Sequence, residues 1–160
     1  MVSTPTPKSP VISESKIIHK SPVLHPLVRF VNEETAALLV KLKPQQVYRV
    51  ECWQHVVYIH GEGVSKFVSY ADFPPTLEVA PPTNADFVRW RKRWKSKLNR
   101  KQAPEFWQEF YAYHFNRTIS VDNLREWGKL VGILRPGLSE VALEWLREVY
   151  RQEKYAFENF

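Results

Sequence analysis

The sequence predicts an α+β fold, in which a disordered N-terminal tail precedes a small antiparallel β-meander of 3–4 strands followed by about four α-helices. Two observations predict this class. Between residues 27 and 75 the apolar residues alternate or form short β-branched runs, whereas beyond residue 84 they recur at the spacing of a helix. Four prolines within residues 74–84 mark the boundary between the two patterns.

The predicted tail covers residues 1–26. It contains five Pro, five Ser and two Thr, and its apolar residues follow no periodic pattern. Such a composition buries too little apolar surface to offset the entropy lost on ordering. We therefore expect residues 1–26 to be disordered and the fold to begin at Leu27.

The β-rich portion, residues 27–75, contains several segments with strand character. Alternation in "QQVYRVECW" places Val47 with Arg49 on one face and Tyr48 with Val50 on the other. "HVVYIH" is β-branched and aromatic, and the following "GEG" joins it to "VSKFVSY" as a hairpin. "TAALLVKLK" fits the end of a short helix or a strand, and we favour a strand beginning at Leu38. A sheet this small needs a covering layer.

The helical portion, residues 76–160, is expected to supply that layer and to pack with the strands as one domain. It contains four helical patterns. Thr83, Ser120 and Ser139 each precede one of them as a capping residue, and Pro104 lies in the first turn of the helix "PEFWQEFYAYHF". The first helix is expected over residues 84–102. Asp86 lies three residues after Thr83, which resembles a capping box.

Cysteine usage and hydropathy indicate the compartment. One cysteine, Cys52, in 160 residues excludes an internal disulfide framework and is typical of a reducing compartment. No apolar run approaches the roughly 20 residues of a membrane span, and the N-terminus lacks the apolar core of a secretory signal. We therefore expect a soluble cytoplasmic protein without a transmembrane segment.

The net charge of +6 is concentrated in one segment. Residues 87–102 contain no acid and eight basic residues: Arg89, Arg91, Lys92, Arg93, Lys95, Lys97, Arg100 and Lys101. Subtracting these eight charges from +6 leaves −2 for the rest of the chain. A localised positive stripe is expected of a protein that meets phosphates or an acidic partner.

The same helix has a narrow apolar face. Phe87, Trp90, Trp94 and Leu98 recur at helical spacing and form a seam that we expect to enter the core. The other faces lack the mixed Glu and Lys pairs of an ordinary solvated helix. Like charges repel each other, and a polyanion would relieve that repulsion. We therefore expect the seam to be buried and the charges to face a partner.

Three polyanions compete as that partner. Nucleic acid is our first choice, contacted mainly through its phosphate backbone by the basic amphipathic helix of residues 84–102. An anionic membrane surface would suit such a helix, but a seam of four residues is thin and the core needs it. The alternative function is a protein-interaction adaptor or assembly factor, in which the same helix docks an acidic protein surface.

The C-terminal segment "ISVDNLREWGKLVGILRPGLSEVALEWL" echoes a helix-turn-helix only loosely. Its turn is too long, and its second helix carries Glu140, Glu144 and Glu148, which phosphates would repel. We favour an αα-hairpin in which Gly128 and Gly132 permit close packing.

No pattern indicates catalysis. His55, His60 and Cys52 could form only a partial zinc site, and Cys52 in a strand is commonly a buried apolar residue. The spacing of the five glycines matches no phosphate-binding loop. We therefore predict a protein that is not an enzyme and has no catalytic residue, metal site or cofactor.

Overall fold

A computed structural model describes residues 15–99 and 101–159 of the chain. It confirms the α+β class, because within those residues the chain forms a four-stranded sheet and five α-helices. The strands, in their order across the sheet, are β1 (Ile17–His19), β2 (Val47–Cys52), β3 (Val57–Gly61) and β4 (Val64–Val68). The helices are α1 (Glu33–Leu39), α2 (Asn84–Leu98), α3 (Glu105–Asn116), α4 (Val121–Ile133) and α5 (Glu140–Asn159).

Strand β1 corrects two predictions. The sheet is mixed rather than an antiparallel meander, because β1 runs parallel to β2 with Ile17 opposite Val50. The prediction of disorder is therefore wrong for the residues of this strand. Backbone hydrogen bonds hold the strand at the edge of the sheet, and in one of them the Lys20 amide donates to the Cys52 carbonyl over 2.9 Å. A strand of three residues is too short to show a periodic pattern, so the composition of the surrounding segment assigned these residues to the tail. The part of the predicted tail within residues 1–14 lies outside the described residues.

Helix α1 shows that the predicted strand from Leu38 is wrong. The Asn32 side chain caps this helix by accepting a hydrogen bond from the Thr35 amide over 2.7 Å. The helix contacts β2 and buries Ala36 and Ala37. Parallel strands need a crossover connection, and α1 lies within the connection from β1 to β2.

The β3–β4 hairpin forms where the sequence predicts it. Gly61 pairs with Val64, which leaves Glu62 and Gly63 as the two turn residues. Gly63 has a φ of 72°, a left-handed conformation that glycine adopts without the steric penalty of a Cβ atom. The turn fixes the register of the two strands.

A β-bulge in β2 overturns the predicted alternation. The register with β3 shifts between Val47 and Arg49. Val47 and Val50 are consequently both buried, and Tyr48 is 54% exposed. An extra residue in one strand turns the side chains that follow it toward the other face. The prediction that Val47 shares a face with Arg49, and Tyr48 with Val50, is therefore wrong.

The start of α2 is as predicted and its end is not. The Thr83 hydroxyl accepts from the Asp86 amide over 3.2 Å, and the Asp86 carboxylate accepts from the Thr83 amide over 2.9 Å, which completes the capping box. The helix ends at Leu98, four residues before the predicted end. Asn99 has a left-handed backbone with a φ of 53°, a conformation that Asn tolerates and that terminates helices.

The remaining helices begin close to the predicted residues. Pro104 is the N-cap of α3 and therefore lies one position before the first helical turn, where the sequence predicts it. The Ser120 hydroxyl caps α4 by accepting from the Asn123 amide over 3.0 Å. The Ser139 hydroxyl does the same for α5 by accepting from the Ala142 amide over 3.1 Å. These caps satisfy amide groups that have no partner within the first helical turn.

Helices α4 and α5 pack as a helical hairpin joined by a 3₁₀ turn at Arg135–Gly137. A Cβ atom on Gly128 would lie 2.6 Å from Cε2 of Tyr150, so a glycine at this position lets α5 approach α4. A Cβ atom on Gly132 would meet nothing within 4 Å. The predicted close packing therefore applies to Gly128 and not to Gly132.

One hydrophobic cluster joins the sheet to the helices. The sheet contributes Val50 and Ile59, and the helices contribute Trp90, Trp94 and Trp107, which are all at most 1% exposed. The centroids of the three indole rings lie 5.3 to 6.3 Å apart. Aromatic pairs at these distances stabilise a core beyond the area they bury. Because two of the rings belong to α2, they fix which face of that helix points outward.

Candidate nucleic-acid interface

Six of the eight predicted site residues lie on α2, and together they form the α2 cationic surface: Arg89, Arg91, Lys92, Arg93, Lys95 and Lys97. All are exposed except Arg93, which is half-buried. Lys101 is exposed but follows the end of the helix, and Arg100 lies outside the described residues. At a rise of 1.5 Å per residue, the α2 cationic surface extends about 12 Å along the helix axis.

The predicted apolar seam lies on the side of α2 that faces the core. Phe87, Trp90 and Trp94 are buried. Leu98, in the last turn, is 38% exposed. The seam is therefore confirmed for its first three members and ends before the fourth. Its buried rings hold α2 in one orientation, so the cations project from a fixed backbone.

Most of the α2 cationic surface has no counter-charge within the described chain. Arg89 Nη1 lies 4.0 Å from Asp86 Oδ1, and the Arg91 guanidinium lies 5.2 Å from the centre of the Phe87 ring. No ion pair or side-chain hydrogen bond with another described residue involves the other four members, Lys92, Arg93, Lys95 and Lys97. These charges are available to an external anion.

Asp86, the one acid in α2, is paired with a residue outside the helix. The Arg29 guanidinium donates to its carboxylate, which is almost fully buried. Burial raises the pKa of Asp86, but the hydrogen bonds from Arg29 and Thr83 outweigh burial and hold the pKa below its ordinary value. The carboxylate is therefore charged and occupied by Arg29, and it does not neutralise the α2 cationic surface.

Nothing in the sequence singles out Arg29, although this residue positions the start of α2. Its guanidinium also donates to the carbonyls of Ala80 and Pro81 over 2.9 and 3.1 Å. It lies 4.1 Å from the centre of the Phe30 ring. Arg29 is separated from Ala80, Pro81 and Asp86 by 51, 52 and 57 positions, so no local pattern could have indicated these contacts.

The outer face of the sheet is a second exposed surface, and it carries four aromatic side chains: Tyr48, Tyr58, His60 and Phe67. The rings of Tyr58 and Phe67 lie 4.8 Å apart, and Phe67 is 64% exposed. Arg49, from the same strand as Tyr48, is paired with Glu51 over 2.6 Å. This aromatic face offers a surface for stacking but less available positive charge than α2.

Among the described residues, no three His, Cys, Asp or Glu side chains come together as a metal site would require. His60 instead lies beside Ser65, with 2.8 Å between Nδ1 and Oγ. Cys52 is a buried free thiol. Burial raises the pKa of this thiol, which favours the protonated, less nucleophilic form.

His114 is a largely buried titratable group on α3, with its side chain 11% exposed. Its ring stacks on Trp127 with the centroids 4.1 Å apart. Burial, reinforced by the nearby charge of Arg117, lowers the pKa of His114 to about 4. Glu34 Oε1 lies 3.8 Å from Nε2, beyond hydrogen-bonding distance, and this exposed carboxylate does not offset the effect of burial. His114 is therefore neutral in the folded protein at neutral pH.

Acidification is expected to destabilise the protein through His114. Below the ordinary pKa of about 6.5 the unfolded chain binds a proton that the folded chain rejects until the pH nears 4, so stability falls between these values. Between pH 7.5 and 5.0 the loss from this group should be about 2 kcal/mol. Urea unfolding of wild type and of His114→Phe at both pH values isolates the contribution, since other groups titrate in both proteins. Equal losses in the two proteins would contradict this role for His114.

Comparisons with protein families, curated proteins and solved structures found no match to the chain. No helix in the described ranges, 15–99 and 101–159, is both long and apolar enough to cross a membrane. The fold and the surface therefore define the protein only as an α+β protein with an outward-facing cationic helix.

Proposed function

We propose that this protein binds nucleic acid through the α2 cationic surface, mainly by contacts with phosphates. The observation that carries the proposal is the set of exposed cations on a helix whose opposite face is anchored by buried tryptophans. Four members of the surface have no counter-charge among the described residues. Releasing the counterions that DNA condenses favours binding by such a surface.

The density of the charges favours nucleic acid over an acidic protein. Duplex DNA carries one negative charge per roughly 1.7 Å of axis, so a contact about 12 Å long can engage several phosphates at once. An acidic protein would need carboxylates placed individually opposite each cation. Docking of an acidic protein by the same helix, as in an adaptor or assembly factor, is the alternative function.

The contact is expected to show little sequence preference. Lys and Arg side chains on phosphates position a protein but do not read base edges. Binding through the aromatic face of the sheet would give a different preference, because stacking of bases on exposed rings favours single-stranded over duplex ligands. Comparing duplex with single-stranded ligands therefore distinguishes which surface makes the contact.

The proposed compartment is the cytoplasm. Cys52 is the only cysteine in the sequence and is a free thiol. Proteins of reducing compartments keep their cysteines in this state. Nucleic acid would be accessible to the α2 cationic surface in such a compartment.

The direct experiment measures binding of the full chain to labelled oligonucleotides at low salt. Two duplexes of unrelated sequence are expected to bind within about threefold of each other. The variant Tyr58→Ala/Phe67→Ala, which removes the stacking rings, is expected to bind duplex DNA as wild type does. No binding to any oligonucleotide at low salt would refute the proposal. Salt-sensitive binding to polyglutamate in that case would favour the adaptor.

A further inference from the structure

A groove on the side of α4 and α5 forms a surface separate from α2. Its volume is about 710 Å³, and its residues come from α3, α4, α5 and the turn between the last two. The floor is apolar and is formed by Phe115, Val131, Leu143, Leu146 and Tyr150. Because a Cβ atom on Gly132 would meet nothing within 4 Å, this position leaves open space along the groove.

The polar lining of this groove carries only positive charge. Six basic residues line it, with no Asp or Glu among the lining residues: Arg125, Lys129, Arg135, Arg147, Arg151 and Lys154. Three of the arginines have an exposed acid three positions earlier, at 2.6 to 3.3 Å. Such exposed pairs contribute little stability, so a ligand can replace the acid. Lys129, Arg135 and Lys154 make no ion pair with any other described residue.

We propose that the groove binds an acidic amphipathic helix of a partner protein. Such a helix would place its apolar face on the groove floor and its carboxylates against the basic rim, which is a common mode of helix recognition. The inference does not depend on the proposed function, because none of the groove residues belongs to the α2 cationic surface.

The spacing of the basic residues favours a helix over a ligand with one charged head group. Arg125 and Lys129 are one turn apart on α4, and Arg147, Arg151 and Lys154 follow at one-turn intervals on α5. The charges on α5 therefore extend about 10 Å along the groove, a length that about two turns of a bound helix would match. A fatty-acid carboxylate would need a cluster of cations at one end.

Two other occupants fit the groove less well. Residues 1–14 of the chain contain one acid, Glu14, and one base, Lys8, so they do not complement the charge. Nucleic acid would match the rim but would gain nothing from the apolar floor. A partner with both carboxylates and an apolar stripe uses both features of the groove.

The test uses a synthetic helical peptide with Leu on one face and Glu on its flanks, labelled for fluorescence anisotropy with the full-length protein. A scrambled peptide of the same composition is the matched ligand control. We expect the amphipathic peptide to bind at least tenfold more tightly than the scrambled one.

Gly132→Leu fills open space without a clash and is expected to weaken peptide binding at least tenfold while leaving oligonucleotide binding unchanged. Lys129→Gln/Lys154→Gln is expected to weaken it as well.

Several outcomes would overturn the inference. Equal binding of the two peptides would mean that only charge matters, and full binding by Gly132→Leu would place the peptide elsewhere. Laurate that binds the groove when the peptide does not would identify a single-headed ligand. The groove could instead be covered by a second copy of the chain. A wild-type dimer that becomes a monomer on Gly132→Leu would identify this second copy as the occupant. A variant lacking the α2 lysines should retain peptide binding, which separates this test from that of the proposed function.

Discussion

Replacing Lys92, Lys95 and Lys97 by Gln is expected to weaken binding to duplex DNA by roughly 100- to 1,000-fold, since removing one cation from a phosphate reduces affinity by about a power of ten at low salt. All three side chains are exposed, and none takes part in an ion pair with a described residue. The fold should therefore be unaffected, or slightly stabilised by reduced repulsion between like charges. Fluorescence anisotropy gives the affinity, and thermal unfolding checks the fold.

The matched control removes the same charge elsewhere. Lys41, Lys43 and Lys66 are exposed residues outside both α2 and the α4–α5 groove. Replacing these three by Gln lowers the net charge equally, so their variant should bind DNA within about threefold of wild type if the contact is local. Equal losses in the two triple variants would show that net charge, rather than the α2 cationic surface, governs binding.

The second large effect is on stability. Trp90→Ala is expected to lower the free energy of unfolding by about 3–5 kcal/mol, as truncation of a buried aromatic side chain does. Trp90 is 0% exposed, and its ring lies 5.3 Å from Trp107 and 5.2 Å from Phe87. The cavity left by an indole at this junction cannot be filled without moving α2. Urea unfolding measures the loss.

Two further variants calibrate that measurement. Trp145, which is 42% exposed, lies outside the core cluster, so Trp145→Ala should cost less than about 1 kcal/mol. Trp90 Nε1 is buried with no hydrogen-bond partner in the described chain. Trp90→Phe removes that unsatisfied donor and keeps much of the ring, so it should cost less than Trp90→Ala. A fully stable Trp90→Ala with impaired DNA binding would show that the ring stacks on the ligand.

Local signals account for the parts of the fold that the sequence predicts. Thr83 with Asp86, the turn at Gly63 and the spacing of the α2 tryptophans each act within a few residues, so their patterns are visible in the sequence. The same holds for the charges of α2, which are exposed because the tryptophans face inward. The class of the fold follows from these signals together.

Long-range contacts account for the errors. Strand β1 is defined by its pairing with β2, some 30 positions later in the chain, and three residues carry no period of their own. The bulge at Val47 depends on the partner strand. The end of α2 is a local error instead, because Asn99 is of a residue type that commonly terminates helices. The α4–α5 groove combines residues of three helices, so its basic rim is invisible in a sequence whose most obvious charge cluster lies elsewhere.

The salt dependence of DNA binding tests the central claim most directly. If the α2 cationic surface contacts about four phosphates, a plot of log K against log salt concentration should have a slope of roughly −3 to −4 for the wild type. Removing Lys92, Lys95 and Lys97 should make the slope shallower by about 1 for each phosphate that the variant no longer binds. A wild-type slope near zero, or the same slope for wild type and the triple variant, would contradict phosphate binding by α2.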